Sequence, residues 1–251
     1  ASGRLAQILC VTGPNLMIDA ACSASLATVH LACRSLHDEE CNLALAGGAY
    51  LLLSPEIMIG LSRMKAISAD GYCKTFSQNA DGFSLGEGCG MVALKRLSDA
   101  QADGDLIMAT IRGSAINHDG NTRIIAKPNG SAQETLLKRA INQAGVNPGD
   151  IQYIEAGTGA LASADAIEAD AIAKIYCQTP RNGLLPVGSV KTNIGHLNAA
   201  AGVAALIKTV LAMQHGQIPA TLHHAVPNKD IPFDKLGITV PTTFTPWQDT
   251  G

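Results

Sequence analysis

Aromatic side chains make up only 4% of the 251 residues, too few to build a stacking surface for single-stranded nucleic acid. An excess of one charge is missing as well. Lys+Arg is 18 and Asp+Glu is 21, a net charge of −3, so no basic stripe exists to follow a phosphate backbone. No run of about 18 uncharged, strongly apolar residues occurs, which argues against a spanning helix and a membrane role. The N-terminus, Ala1-Ser2-Gly3-Arg4, carries neither a start Met nor a charged-then-apolar signal pattern, and reads as a chain cut from something longer. Cysteine is present at 10, 22, 33, 41, 73, 89 and 177, but in odd number, at irregular spacing and without a CxxC pair. That pattern argues against a disulfide scaffold or a zinc site and for a reducing, cytoplasmic compartment. Most of these thiols are expected to be small buried hydrophobes.

What is present is apolar: 47% hydrophobic against 16% charged residues, enough for a sizeable core in one large domain or two smaller ones. Strand-like and helix-like segments alternate. Residues 16–20 form a short apolar run suited to a buried strand. Leu26, Val29, Cys33 and Leu36 recur at helical spacing over residues 23–36. Residues 43–53 suggest a strand bent at Gly47-Gly48, and residues 90–94 and 107–112 suggest two more. Ser131 followed by Glu134 predicts a capping box for a helix over residues 131–144. Asn147-Pro148-Gly149 reads as a turn. Residues 151–155 and 187–190 are strand-like, and residues 164–176 and 199–213 helical. The alternation implies an α/β layered fold with a largely parallel sheet, divided softly near Gly104 into residues 1–104 and 105–251.

Three places can carry chemistry. At Ile18-Asp19-Ala20-Ala21-Cys22-Ser23 a strand-like run gives way to a helix among small residues. That is the setting of a nucleophile elbow, where the helix N-terminus favours a thiolate and its N–H groups can hold an oxyanion. A Cys packed beneath a helix fits the local sequence equally well. At Ser189-Val190-Lys191-Thr192-Asn193-Ile194-Gly195-His196 a strand enters a polar loop before a long helix. A neutral, hydrogen-bond-donating imidazole is expected at His196, because the positive helix end disfavours imidazolium. A surface Lys and a His capping the helix are the plainer local reading. At Tyr153-Ile154-Glu155-Ala156-Gly157-Thr158-Gly159 the Gly-rich loop lacks the P-loop Lys and the three-Gly spacing, and reads most simply as a tight turn. His30, His37, His118, His215, His223 and His224 cannot be ranked by spacing, and no His pair at i, i+4 with a Glu suggests a metal.

Together these segments resemble the ketosynthase (β-ketoacyl synthase) domain of modular polyketide synthases over nearly the whole chain. Gly13-Pro14 through Asp19-Ala20-Ala21-Cys22-Ser23-Ala24-Ser25-Leu26 resembles the family's active-cysteine motif. Asp70-Gly71-Tyr72-Cys73-Lys74-Thr75-Phe76 and Ala80-Asp81-Gly82-Phe83 through Gly86-Glu87-Gly88-Cys89-Gly90 resemble its central stretch. Asn117-His118-Asp119-Gly120 and Pro128-Asn129-Gly130 match two further signatures, and Lys191-Thr192-Asn193-Ile194-Gly195-His196 resembles the motif with the family's Lys and second catalytic His. The resemblance implies a thiolase-like αβαβα fold of two related halves, incomplete because the chain is truncated at both ends. Residues 1–104 would be what remains of the half with the nucleophile, and residues 105–251 the half with the Lys/His motif. It further implies an acyltransferase with catalytic Cys22, His196 and Lys191 and no metal or resident cofactor. A homodimer and an acyl carrier protein partner, whose phosphopantetheine thioester delivers the acyl group, complete the implied picture.

Two departures qualify it. The family's first catalytic His follows Glu-Ala, whereas here Glu155-Ala156 runs directly into Gly157-Thr158-Gly159. An ungapped match puts Gly157 in the His position; a match on Gly-Thr-Gly deletes the His. Ketosynthases lacking this His are similar to acyl-transfer relays that do not elongate. The second departure is the truncation, which is expected to expose sheet edges and apolar faces. Three readings follow: a non-elongating ketosynthase, an ordinary condensing one, or a non-catalytic scaffold that dimerises or docks a carrier protein.

Overall fold

The computed structural model describes residues 2–122 and 128–247. In chain order its elements are α1 (Ser2–Ile8), α2 (Ala24–His37), β1 (Leu43–Tyr50), α3 (Glu56–Arg63), β2 (Gly88–Lys95), α4 (Leu97–Asp103), α5 (Gly130–Ala144), β3 (Ile154–Glu155), α6 (Ala162–Tyr176), β4 (Leu185–Gly188), α7 (Lys191–Ile194), α8 (Ala201–His215), β5 (Gln217–Ile218), α9 (Phe233–Leu236), β6 (Ile238–Thr239) and β7 (Thr245–Pro246). Short 3-10 turns stand at Ala21–Ser23, Pro148–Asp150 and Asn198–Ala200.

The long helices lie where apolar periodicity puts them. α2 turns Val29 and Leu36 inward, and α6 buries Ala169, Ile172, Ala173 and Tyr176 along one side. The α5 start differs in its cap. Asn129, not Ser131, accepts the orphan N–H, through its side chain from Ala132. The helix therefore begins at Gly130, and Ser131 falls inside its first turn, where it cannot cap.

The sheets are less parallel than the alternation suggests. β1 and β2 pair antiparallel from Leu43↔Lys95 to Tyr50↔Gly88. Only the second sheet, in the order β3-β4-β6, is parallel, while β5 and β7 pair antiparallel. Gly47-Gly48 makes no bend and pairs straight across to Met91 and Gly90. Gly48 serves close approach instead: a Cβ there would lie 2.5 Å from the Ala199 carbonyl oxygen and 2.9 Å from Ser25 Cβ. The missing side chain lets the segment before α8 and the start of α2 settle on one strand.

Two expected strands are absent. Residues 16–20 and 107–112 belong to neither helix nor strand. A strand exists only where a neighbour takes its N–H and C=O groups, and apolar runs alone do not supply one. The main core lies between α5, α6 and the parallel sheet, around Phe76, Ile172, Tyr176, Leu185, Val187 and Ile238. A smaller cluster, Leu197, Ala200, Ala201 and Val203, joins α8 to β1 and β2 through Tyr50, Val92 and Ile207.

Candidate active site

Cys22 occupies the 3-10 turn immediately before α2 and is exposed. The chain reaches it through a segment that is neither helix nor strand. The turn is sharp: Ala21 has φ +47°, a left-handed conformation costly for a residue with a Cβ. Local hydrogen bonds hold it there. Asp19 Oδ1 accepts from Ala21 N–H at 3.2 Å, and the Ser23 hydroxyl donates to the Ala20 carbonyl at 2.7 Å. Small residues are required because this turn packs directly on the Asn198–Ala200 turn that precedes α8.

That contact brings the His196 segment alongside. After β4 the chain makes the single turn of α7, passes Gly195 at φ +76° and presents His196. His196 is 5% exposed. Its backbone is clamped by residues 84–86: its N–H donates to Ser84 O at 2.7 Å, and its carbonyl accepts from Gly86 N–H at 3.1 Å. Its ring meets the Phe83 ring edge-on at 4.9 Å. Nδ1 accepts the Asn198 backbone N–H at 3.1 Å, which leaves the neutral ring's proton on Nε2, free to donate. Burial, reinforced by the nearby Lys191 ammonium, lowers its pKa to about 3. The neutral imidazole expected from the sequence is present, but desolvation and a neighbouring cation hold it neutral.

Lys191 is buried rather than on the surface, at 8% exposure. Its Nζ donates to the carbonyls of Gly157 at 2.6 Å and Thr158 at 2.9 Å, and Glu168 Oε1 accepts the Gly157 N–H at 2.7 Å. Burial pushes the Lys191 pKa down, against the attraction of Glu168 and then of a Cys22 thiolate. Burial likewise pushes Glu168 up, against its bond from Gly157 and the charge of Lys191. The loop with Gly157 is thus gripped on both peptide faces, yet a Cβ on Gly157 would meet only Glu168 Oε1, at an ordinary 3.5 Å. Position 157 offers no side chain and has room for one.

An apolar cavity of about 670 Å³ between β2 and α8 is lined by Cys89, Ile194, Leu197, Ala200 and Ile207, with Lys208 at its edge. Cys22 does not line it. Among the described residues no group of three or more His, Cys, Asp or Glu could hold a metal ion, and no helix is long and apolar enough to cross a membrane.

Several contributors escaped the sequence reading. Phe83 and Ser84 brace His196 from a motif whose role was not legible in its spacing. Lys74 ties the loop before them together, bridging Asp70 at 2.7 Å and Asp81 at 2.8 Å. Burial works against its ammonium, but the two carboxylates outweigh it and raise its pKa. Asp165 is fully buried, and its Oδ2 accepts the Phe76 N–H at 2.7 Å; burial pushes its pKa up to about 7. Lys208 had one sequence signal, a solitary Lys in the middle of the apolar helix α8.

A left-handed turn presenting a thiol thus packs on the turn that follows a buried neutral imidazole, with a buried ammonium five residues before that imidazole. The chain belongs to the β-ketoacyl synthase family and has its thiolase-like fold: residues 1–100 match the description "Beta-ketoacyl synthase, N-terminal domain" and residues 108–225 "Beta-ketoacyl synthase, C-terminal domain". It is 48% identical over 252 residues to a phenolphthiocerol/phthiocerol polyketide synthase of Mycobacterium tuberculosis, covering 100% of this chain and 13% of that protein. It is 46% identical over 253 residues to a polyketide synthase of Streptomyces halstedii, covering 100% of this chain and 3% of that protein. Among solved structures it is similar to the ketosynthase from module 6 of the Bacillus subtilis bacillaene synthase, with TM-score 0.96, 38% identity, and coverage of 100% of this chain and 45% of that one. The Streptomyces albus oxazolomycin ketosynthase domain gives TM-score 0.95 and 34% identity, covering 98% of this chain and 43% of that one. The chain therefore spans less than half the length of these ketosynthases.

Proposed function

We propose that this chain carries the acyl-transfer centre of a modular polyketide synthase ketosynthase that loads and passes an acyl chain without efficient elongation. Residues 1–104 supply the nucleophile, and residues 105–251 the Lys and His. Cys22 attacks the carbonyl of an acyl thioester on the phosphopantetheine arm of a carrier protein. The electron pair of the carbonyl moves to oxygen and then returns. The carbon–sulfur bond to phosphopantetheine breaks, and the departing thiolate takes up a proton in place of the one the Cys22 thiol gave up on becoming the nucleophile. The N–H groups at the start of α2 are the candidate oxyanion donors, and Nε2 of neutral His196 a further one. Lys191 acts on the 157–158 backbone rather than on substrate. Function as a homodimer belongs to the same reading.

The observation that carries it is the composition of the site. One neutral imidazole and one clamped ammonium accompany Cys22, while position 157 is glycine. Transfer needs only a thiolate and oxyanion donors. Decarboxylating a malonyl thioester also needs its enolate oxygen stabilised, and one donor fewer costs about 10²–10³ in rate, roughly 3–4 kcal/mol.

The test uses a complete ketosynthase domain carrying these residues, given an acyl thioester and then a malonyl carrier protein. Intact mass should show an acyl adduct, abolished in Cys22→Ala, with little CO2 release and no β-ketoacyl product. Condensation at the rate of a His-containing relative would instead support the ordinary condensing reading. Absence of any adduct would leave the scaffold reading.

A further inference from the structure

Behind the Lys191 turn lies a second buried ion pair that the acyl-transfer chemistry does not use directly. Lys208 Nζ donates to Glu155 Oε2 at 2.6 Å, with both side chains more than nine-tenths buried at 9% and 7% exposure. The Tyr153 hydroxyl donates to the same oxygen at 2.5 Å and accepts from Lys208 at 2.8 Å. The other carboxylate oxygen, Oε1, accepts the backbone N–H of Val190 at 2.5 Å. Two charges taken out of water at this depth are costly unless their donors and acceptors are met, and Glu155 meets three donors at once.

The placement of those donors is informative. Glu155 ends β3, two residues before Gly157, while Val190 immediately precedes Lys191. One carboxylate therefore joins the strand that carries the 157 loop to the turn that launches the Lys191 side chain back onto that loop. The neighbourhood is shaped for it. A Cβ on Gly188 would fall 2.4 Å from the Tyr153 hydroxyl oxygen, and the Trp247 ring lies 5.5 Å from that of Tyr153.

We propose that Glu155 is a positioning residue for Lys191: by accepting the Val190 N–H, with Lys208 and Tyr153 fixing its carboxylate, it sets the turn that aims Lys191 at the Gly157 and Thr158 carbonyls. Its catalytic relevance rests on the acyl-transfer reading above. A displaced ammonium would no longer attract the Cys22 thiolate, so Cys22 reactivity reports on the geometry.

The experiment measures, in a complete ketosynthase domain carrying this chain, the rate of Cys22 alkylation by iodoacetamide at fixed pH. Acylation by an N-acetylcysteamine thioester and thermal unfolding are measured alongside. Glu155→Ala should slow alkylation roughly three- to tenfold and lower kcat of acylation with KM unchanged. Val190→Pro removes the donor at a residue whose φ of −61° is already within the range of proline; it should reproduce the loss. In a Lys191→Ala background neither should slow alkylation further. The double variant Glu155→Gln with Lys208→Met, which keeps an acceptor and removes both charges, should recover most of the rate. Wild-type alkylation in folded Glu155→Ala or Val190→Pro would overturn the proposal, as would losses that add in full to that of Lys191→Ala. If neither single variant folds, a folded double variant as slow as Lys191→Ala overturns it, and one near the wild-type rate upholds it. Failure of acylation alone would sink the acyl-transfer reading and leave the alkylation comparison standing.

Discussion

The regions before and after the 105–122 segment are built differently, although both are rich in apolar residues. After it, α5, α6 and the parallel sheet close around one core, and Leu185, Val187 and Ile238 are almost wholly out of water. Before it, α1 and α3 bury nothing fully. Leu53 is 85% exposed, and Leu43, Leu45 and Met91 on β1 and β2 also face solvent. The candidate site straddles this difference. Cys22 stands exposed on the thinly packed side, while Lys191 and His196 are sunk into the other. Apolar composition is thus a capacity for burial, and a second layer must cover a face before that capacity becomes stability.

The comparison can be sharpened by changing each side in turn. The largest effect is expected at position 157, in the packed region. The loop is held by Lys191 and Glu168, and a side chain there has open space. Gly157→His should raise decarboxylative condensation by about 10²–10³, read as β-ketoacyl product formed per minute, and leave Cys22 acylation nearly unchanged. No gain would mean that the missing imidazole is not what limits elongation.

Next in size is packing itself. Leu185→Ala, at a fully buried position, should cost about 2–5 kcal/mol in urea unfolding. Leu53→Ala, at a mostly exposed position, should stay within about 0.5 kcal/mol. Equal costs would break the contrast between the regions.

Taken per pH unit, the smallest effect is electrostatic. His196 has its pKa lowered to about 3 in the fold, chiefly by burial and then by Lys191. Below its unfolded value near 6.5, the unfolded chain binds a proton that the native state refuses. Its stabilisation is therefore present above about pH 6.5 and is lost as pH falls toward 3, at up to about 1.4 kcal/mol per pH unit. Asp165 runs the other way. Burial raises its pKa to about 7, so its contribution is greatest at low pH and is lost as pH rises from about 4 to 7. Subtracting the stability curve of His196→Ala from that of the wild type should isolate the first slope. A flat difference would show that His196 is not held neutral by the fold.

Helices 24–37, 130–144, 162–176 and 201–215 were legible because periodicity is a local property, written every three or four residues. The order of the motifs around Cys22, Lys191 and His196, and the glycine at 157, were legible through their resemblance to the family's motifs, each a short run of contiguous residues. What depended on partners was not. Residues 16–20 have a strand's composition but no strand beside them, and Gly47-Gly48 looks like a bend until Ala199 and Ser25 are seen against it. Asn129 became the α5 cap in place of Ser131 because its side chain, and not the serine's, reaches the Ala132 N–H.

The same division runs through the site. The available groups are written in the chain: a thiol among small residues, a Lys and a His five positions apart, and no imidazole after Glu155-Ala156. Their states come from packing. Burial and Lys191 hold His196 neutral, the Asn198 N–H assigns its proton to Nε2, and two carbonyls turn Lys191 from a surface charge into a clamp. The pairing of Glu155 with Lys208 spans β3 and α8, which no local pattern connects. Charge state, tautomer and hydrogen-bond partner depend on dielectric surroundings and on distances between segments far apart in the chain, and those quantities come into existence only when the layers pack.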